Sequence, residues 1–149
     1  MARAEHAIEI DAPPDAVFPY LADGDQRLRW MGALAETEQL TPGPPAVGCR
    51  WRDVFEQLGQ RLVLQAELAA YEPPTRLLVR LSSPAADATS EQRLEPAGEG
   101  RTRVRATIDA DYKSCGARLA SGMVTRQTQA QLEADLATLK GLVEREAGS

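Results

Sequence analysis

Apolar and polar residues alternate in period two over most of the first 112 positions, and the alternation then gives way to helical spacing. His6, Ile8 and Ile10 fall on one face of a short run and Ala7 and Glu9 on the other, the pattern of a half-buried strand. The same pattern returns over 34–40, 50–57, 61–71, 76–83, 88–95 and 102–112, which predicts seven strands. Between them stand strong breakers: the TPGPP segment at 41–45, Gly59, Pro73 with Pro74, Pro84, and the PAGEG segment at 96–100.

Two short helices are expected between the first and second strands. Asp11 offers an N-cap and Pro13 and Pro14 suit a first turn, followed by Val17, Phe18 and Leu21 at helical spacing. Pro19 lacks the amide a helix interior needs, so a kink or break is expected there. Asp23, Gly24 and Asp25 end that segment, and 26–31 reads as a second short helix carrying Trp30. From 114 to 146 proline is absent, and Leu132, Leu136, Leu139 and Val143 make one helical stripe. About 30 helical residues span about 45 Å, enough to cross a sheet. Strand, two short helices, six hairpin-connected strands and a long helix form an α+β order in which the last helix must cover the apolar face of the sheet. No repeat or linker divides the chain, so residues 1–149 read as one domain with an ordered core of about 4–146.

With 43% hydrophobic and 26% charged residues, disorder and collagen-like classes fall away. A net charge of −5 argues against a broad nucleic-acid surface. No run of about 18 apolar residues is available to cross a bilayer and no signal-peptide core is visible, so a cytoplasmic location without integral membrane association is expected. Cys49 and Cys115 form no CxxC motif and read as two buried thiols. The single histidine, His6, starts a strand at the domain edge and reads as an edge or surface residue, which disfavours a catalytic triad or a histidine metal site. No metal, nucleotide or other cofactor is expected.

The chain resembles the START-related SRPBCC superfamily, the polyketide cyclase/dehydrase and lipid transport proteins that share the helix-grip fold of the birch-pollen allergen. The resemblance rests on IEIDAPPDAVFPYLAD at 8–23, Arg29 with Trp30, Val47 with Gly48, YEPPTRL at 71–77, LEPAGEGRT at 94–102 and the terminal 132–144 segment, in that order along nearly the whole chain. It implies a curved seven-stranded antiparallel sheet with the long helix over its concave face, and a cavity between them for an apolar or aromatic small molecule.

Alternation assigns the candidate lining of that cavity: Trp51, Asp53, Phe55, Leu64, Ala66, Val79, Leu81, Ser90, Gln92, Ala106, Ile108 and Tyr112. Ala70 joins them by the same count, and the resemblance sets Trp30 near the mouth. Carrying the helical stripe backward reaches Thr128, Thr125 and Ser121, a hydroxyl-bearing roof; the opposing phase turns Leu119 and Met123 inward instead. Asp53 stands out, because a carboxylate between Trp51 and Phe55 must be paired, hydrogen-bonded or protonated. It is a candidate general base or acid or a ligand anchor, unless a bulge after Gly48 turns it to solvent. Tyr112 and Gln92 are the other candidates for handling protons.

Three functions follow as expectations. The first is a carrier or sensor of a hydrophobic or aromatic small molecule. The second is a polyketide cyclase, aromatase or dehydratase using the same cavity. The third is a partner-binding regulatory module, whose signature would be an exposed apolar patch that the sequence does not reveal. The oligomeric state is expected to be monomer or homodimer.

Overall fold

The computed structural model describes residues 2–57, 59–116 and 121–148. The elements follow in the order β1 (Ala2–Ile10), α1 (Pro14–Ala22), α2 (Gly24–Trp30), β2 (Leu34–Gln39), β3 (Arg50–Gln57), β4 (Gln60–Glu72), β5 (Arg76–Ser82), β6 (Ala86–Pro96), β7 (Thr102–Tyr112) and the long helix α3 (Ser121–Ala147). The strands form one seven-stranded sheet in the order β1-β7-β6-β5-β4-β3-β2, every neighbouring pair antiparallel. This is the helix-grip architecture that the alternation and the resemblance led us to expect. Residues 117–120 of the expected helix start, Leu119 among them, lie outside the described residues. Among the described residues no helix is long and apolar enough to cross a membrane.

Four local expectations change. α1 runs unbroken through Pro19; the carbonyl that a proline there deprives of its helical donor is that of Asp15, in the exposed first turn, where water can satisfy it. Pro13, not Asp11, holds the N-cap of α1 and makes no side-chain cap bond. Ala70 leaves the inner face, because the pairing of β4 with β5 shifts between Leu68 and Ala70; Tyr71 then takes the place opposite Leu77. Cys49 packs half-buried against the core, but Cys115, just past the end of β7, is exposed.

The core fills one end of the space between sheet and helix. Leu132, Leu136, Leu139 and Val143 of α3 are buried with Ile10, Leu77, Leu94 and Val104 of the sheet and with Val17, Phe18 and Leu21 of α1. α3 lies along β1, the edge strand, and makes hydrogen bonds with the backbone that this edge leaves free. The Gln129 amide both accepts from the Glu5 N–H at 3.0 Å and donates to the Glu5 carbonyl at 2.9 Å. Lys140 Nζ donates to the Glu9 carbonyl at 2.8 Å, and the Asp11 N–H donates to Glu144 at 2.7 Å. The numbers rise together, so helix and strand run parallel. From residue 5 to 11 a strand advances about 20 Å and from 129 to 144 a helix about 22 Å, which is why the two backbones stay in step.

The far end of α3 is fastened to the short helices. Arg29 pairs with Glu146 at 2.6 Å, and the Tyr20 hydroxyl donates to the same carboxylate. The Arg29 and Tyr20 hydrogen bonds hold the Glu146 carboxyl at about 2, below its ordinary 4.5. A carboxyl depressed in the folded state contributes stability above its unfolded value and loses it as pH falls toward the folded one. The melting temperatures of wild type and Glu146→Gln should therefore differ near neutral pH and converge as pH falls from about 4.5 to about 2. A difference that widens on acidification rejects this role. Asp135 has the opposite sign. Burial raises its carboxyl, against the lowering effect of the Gly32 N–H and the Gln131 amide.

Candidate functional site on the inner face of the sheet

Register fixes which side chains stand beside one another. One row crosses the inner face as Ala4, Ile108, Ser90, Val79 and Leu68. The next rows are His6, Ala106, Gln92, Leu77 and Tyr71 on one side, and Ala110, Ala88, Leu81, Ala66 and Trp51 on the other. Burial changes along these rows. On β7, Thr102, Val104 and Ala106 are 0–1% exposed, whereas Ile108, Ala110 and Tyr112 are only half-buried. On β6, Leu94 is buried, and Gln92, Ser90, Ala88 and Ala86 are half-buried. Leu81, Leu64 and Phe55 follow suit, and Leu62 at the rim is exposed. The inner face is thus packed beneath α1 and the second half of α3 and opens toward the other end, where its floor remains mostly apolar.

Asp53 points inward, because β3 pairs with β4 without interruption from Arg50 to Gln57 and the nearby register shift lies in β2, between Leu34 and Glu36. Its carboxylate is completely buried and fully engaged. Arg27 of α2 donates to Oδ2 at 2.6 Å and, more weakly, to Oδ1 at 3.4 Å, while the Trp51 indole N–H donates to Oδ2 at 3.1 Å. The guanidinium carbon also sits 5.7 Å from the centre of the Trp51 ring, within reach of a cation–π contact. A carboxylate so held has both oxygens occupied by donors of this chain, which leaves a ligand little to bind there. What the trio does instead is remove charge from the wall of the site and hold α2 to β3.

Alternation alone did not reveal Arg27. The available signal was its position three residues before Trp30, which sets both on one face of α2. Trp30 itself packs in the core, 4% exposed, with its indole N–H donating to the Tyr20 carbonyl at 2.8 Å. Ala66, Val79 and Ala106 are buried, and Trp51, Phe55, Leu64, Leu81, Ser90, Gln92, Ile108 and Tyr112 are half-buried. On α3, Met123 is 65% exposed, while Thr125 and Thr128 are half-buried; the side chain of Ser121 lies outside the described residues. The hydroxyl face is therefore the better covered of the two phases. His6 is on the edge strand, as expected, half-buried and with the inward parity of Ala4, Ile8 and Ile10.

Two hollows have no residue of α3 in their lining. A groove of about 710 Å³ runs across the outer face, floored by the backbone of Ala66, Leu81, Ala88 and Ala110 and walled by outward side chains such as Glu67, Arg80, Asp87 and Asp109. Its charges are largely consumed internally: Glu67 faces both Arg50 and Arg80 at 3.6 Å, and Asp109 is paired with Arg3 at 2.7 Å. A smaller cleft of about 470 Å³ lies between α1, Pro45 and the turn at Pro73 and Pro74, with Phe18 and Tyr71 at its base. Among the described residues no group of three or more His, Cys, Asp or Glu side chains is placed to hold a metal ion.

Comparison with known proteins agrees with this architecture. The family model for polyketide cyclase/dehydrase and lipid transport proteins matches residues 1–144. No curated protein matches the chain in sequence. Among solved structures, the Zhui aromatase/cyclase from Streptomyces sp. R1128 superposes with a TM-score of 0.84 at 21% identity, covering 97% of this chain and 94% of that one. A START superfamily protein from Mycobacterium smegmatis gives 0.81 at 17% identity, covering 97% and 99%. The di-domain ARO/CYC BexL of the BE-7585A biosynthetic pathway gives 0.74 at 22% identity, with 97% of this chain matching 47% of that one. At these identities the likeness is one of fold.

Proposed function

Because the chain belongs to the polyketide cyclase/dehydrase and lipid transport family, we propose that it binds a neutral, hydrophobic or aromatic small molecule on the inner face of the sheet beneath α3, as a carrier or sensor. The observation that carries this reading is the burial gradient. Residues of the same apolar type are sealed at one end of β7 and half-open at the other. Apolar floor left accessible inside a fold gains free energy when a ligand displaces its water. Neutrality follows from the charge accounting, since Asp53 is matched by Arg27. A ligand carboxylate or ammonium would lose its hydration there with little in return.

Turnover is the second reading. It is favoured by Gln92 and Tyr112 lying on the same inner face, half-buried, where a ligand's oxygens would be met. Native mass spectrometry of the purified protein should detect a copurifying neutral organic molecule, and product analysis of that molecule after incubation separates carrier from cyclase. Ala88→Phe, which puts a ring into the row between Ala110 and Leu81, should keep the fold and weaken binding of an apolar fluorescent probe by about tenfold or more. Unchanged affinity in a folded Ala88→Phe protein would move the site elsewhere.

A further inference from the structure

We propose that the cleft between α1 and the turn at Pro73 and Pro74 is a second binding site, for a small organic cation: an ammonium or guanidinium group carried on an apolar body. It is separate from the space beneath α3, since no residue of α3, β5, β6 or β7 lines it. Its volume of about 470 Å³ falls within the range of small-molecule sites.

α1 supplies one wall through a single stripe. Asp15, Phe18, Pro19, Ala22 and Asp23 follow one another at steps of three, one, three and one residues, the spacing that keeps side chains on one side of a helix. Asp15 and Asp23 end the stripe about 12 Å apart along the axis. At the base, the half-buried Tyr71 ring lies 5.7 Å from the ring of Phe18. Phe18 is itself buried, so it backs Tyr71 and leaves the Tyr71 ring as the aromatic surface within reach of a ligand.

The hydrogen-bonding inventory of this cleft is one-sided. None of its lining residues is a lysine, arginine or histidine. Pro19, Pro45, Pro73 and Pro74 have no N–H to offer. The side-chain nitrogen of Gln39 is engaged by the Thr41 and Gly43 carbonyls at 2.6 and 2.8 Å, which leaves its oxygen toward a ligand. Among the described residues Asp15 has no hydrogen-bonding or ion-pair partner for its side chain, and Asp23 accepts only the Asp25 N–H, at 2.9 Å. The arginines of the neighbouring α2 do not neutralise these carboxylates, because Arg27 is held by Asp53 and Arg29 by Glu146. The Tyr71 hydroxyl is then the one side-chain donor in the lining not already engaged. An anion would meet two carboxylates and no cation. A ligand that brings positive charge and N–H donors meets acceptors and an aromatic ring, and its apolar body displaces water from Tyr71 and the prolines.

The test compares benzylammonium with benzyl alcohol, which share a ring and differ in charge and donor count, by NMR titration of the whole protein near neutral pH. Benzylammonium should bind about fivefold tighter or more, and high salt should erase the difference. Its largest backbone amide shifts should fall within 15–24 and 71–75. Asp15→Asn should lose most of the preference. Asp23→Asn, whose side chain can still cap α2, should lose part of it. Both positions are exposed, so the melting temperatures of these variants should stay close to that of wild type. Equal affinities for the two probes, or no binding of benzylammonium at all, would overturn the site. So would a preference undiminished in Asp15→Asn/Asp23→Asn, or benzylammonium shifts centred on Ser90 and Ile108, which would move the cation to the inner face.

Discussion

Replacing Arg27 with methionine is expected to destabilise the protein by roughly 3–5 kcal/mol, more than any single surface change, because it strands a buried charge. The Asp53 side chain is 0% exposed and that of Arg27 12%, so solvent cannot take over the partner's role. Among the described residues the Trp51 N–H would remain as the only hydrogen-bond donor to Asp53. Removing both charges should cost far less, since the desolvation that burdens the single variant is gone from Arg27→Met/Asp53→Leu. Urea denaturation of the wild type, the two single variants and the double variant forms a closed cycle. Near-additive losses would mean that the pair is not energetically coupled, and a loss below about 1 kcal/mol for Arg27→Met would mean that water reaches Asp53.

Leu139→Ala is the second large effect, at about 2–5 kcal/mol. Leu139 is 0% exposed and lies on the buried stripe of α3, next to Leu136, also 0% exposed. Truncation leaves a cavity that neither the sheet nor α1 can close without moving the other. Met123, on the same helix but 65% exposed, is the internal control: Met123→Ala should fall within about 0.5 kcal/mol of wild type. Equal melting temperatures for Leu139→Ala and wild type would reject the packing of this face.

Much of this architecture was legible in the chain because its signals are local. Period-two alternation between proline and glycine breakers located every strand, and the spacing of Leu132, Leu136, Leu139 and Val143 identified the buried face of α3. What stayed hidden depends on events distant in sequence. A bulge reverses every side chain beyond it, and nothing in the 50–57 run announces that the register shifts in β2 and β4 but not in β3. Asp53 could therefore be placed only conditionally, and Ala70 was placed on the wrong face. The partner of Asp53, Arg27, lies 26 residues away on a seven-residue helix too short to show a face by periodicity. Pro19 misled because the rule against helix-interior proline weakens where the acceptor it idles faces water.

The grip of α3 on β1 has a consequence for how the chain avoids sticking to copies of itself. An edge strand with free N–H and C=O groups is a template for another strand. Here the carboxamide of Gln129 copies a peptide group, offering Glu5 one acceptor and one donor as a neighbouring strand would. Lys140 and Glu144 extend the imitation to Glu9 and Asp11. The helix thus serves as a counterfeit eighth strand, present in side chains only, and it terminates the sheet. A chain cut before Gln129 would lose more than the core contacts of its helix: it would present an unfinished sheet whose natural completion is the first strand of a second molecule.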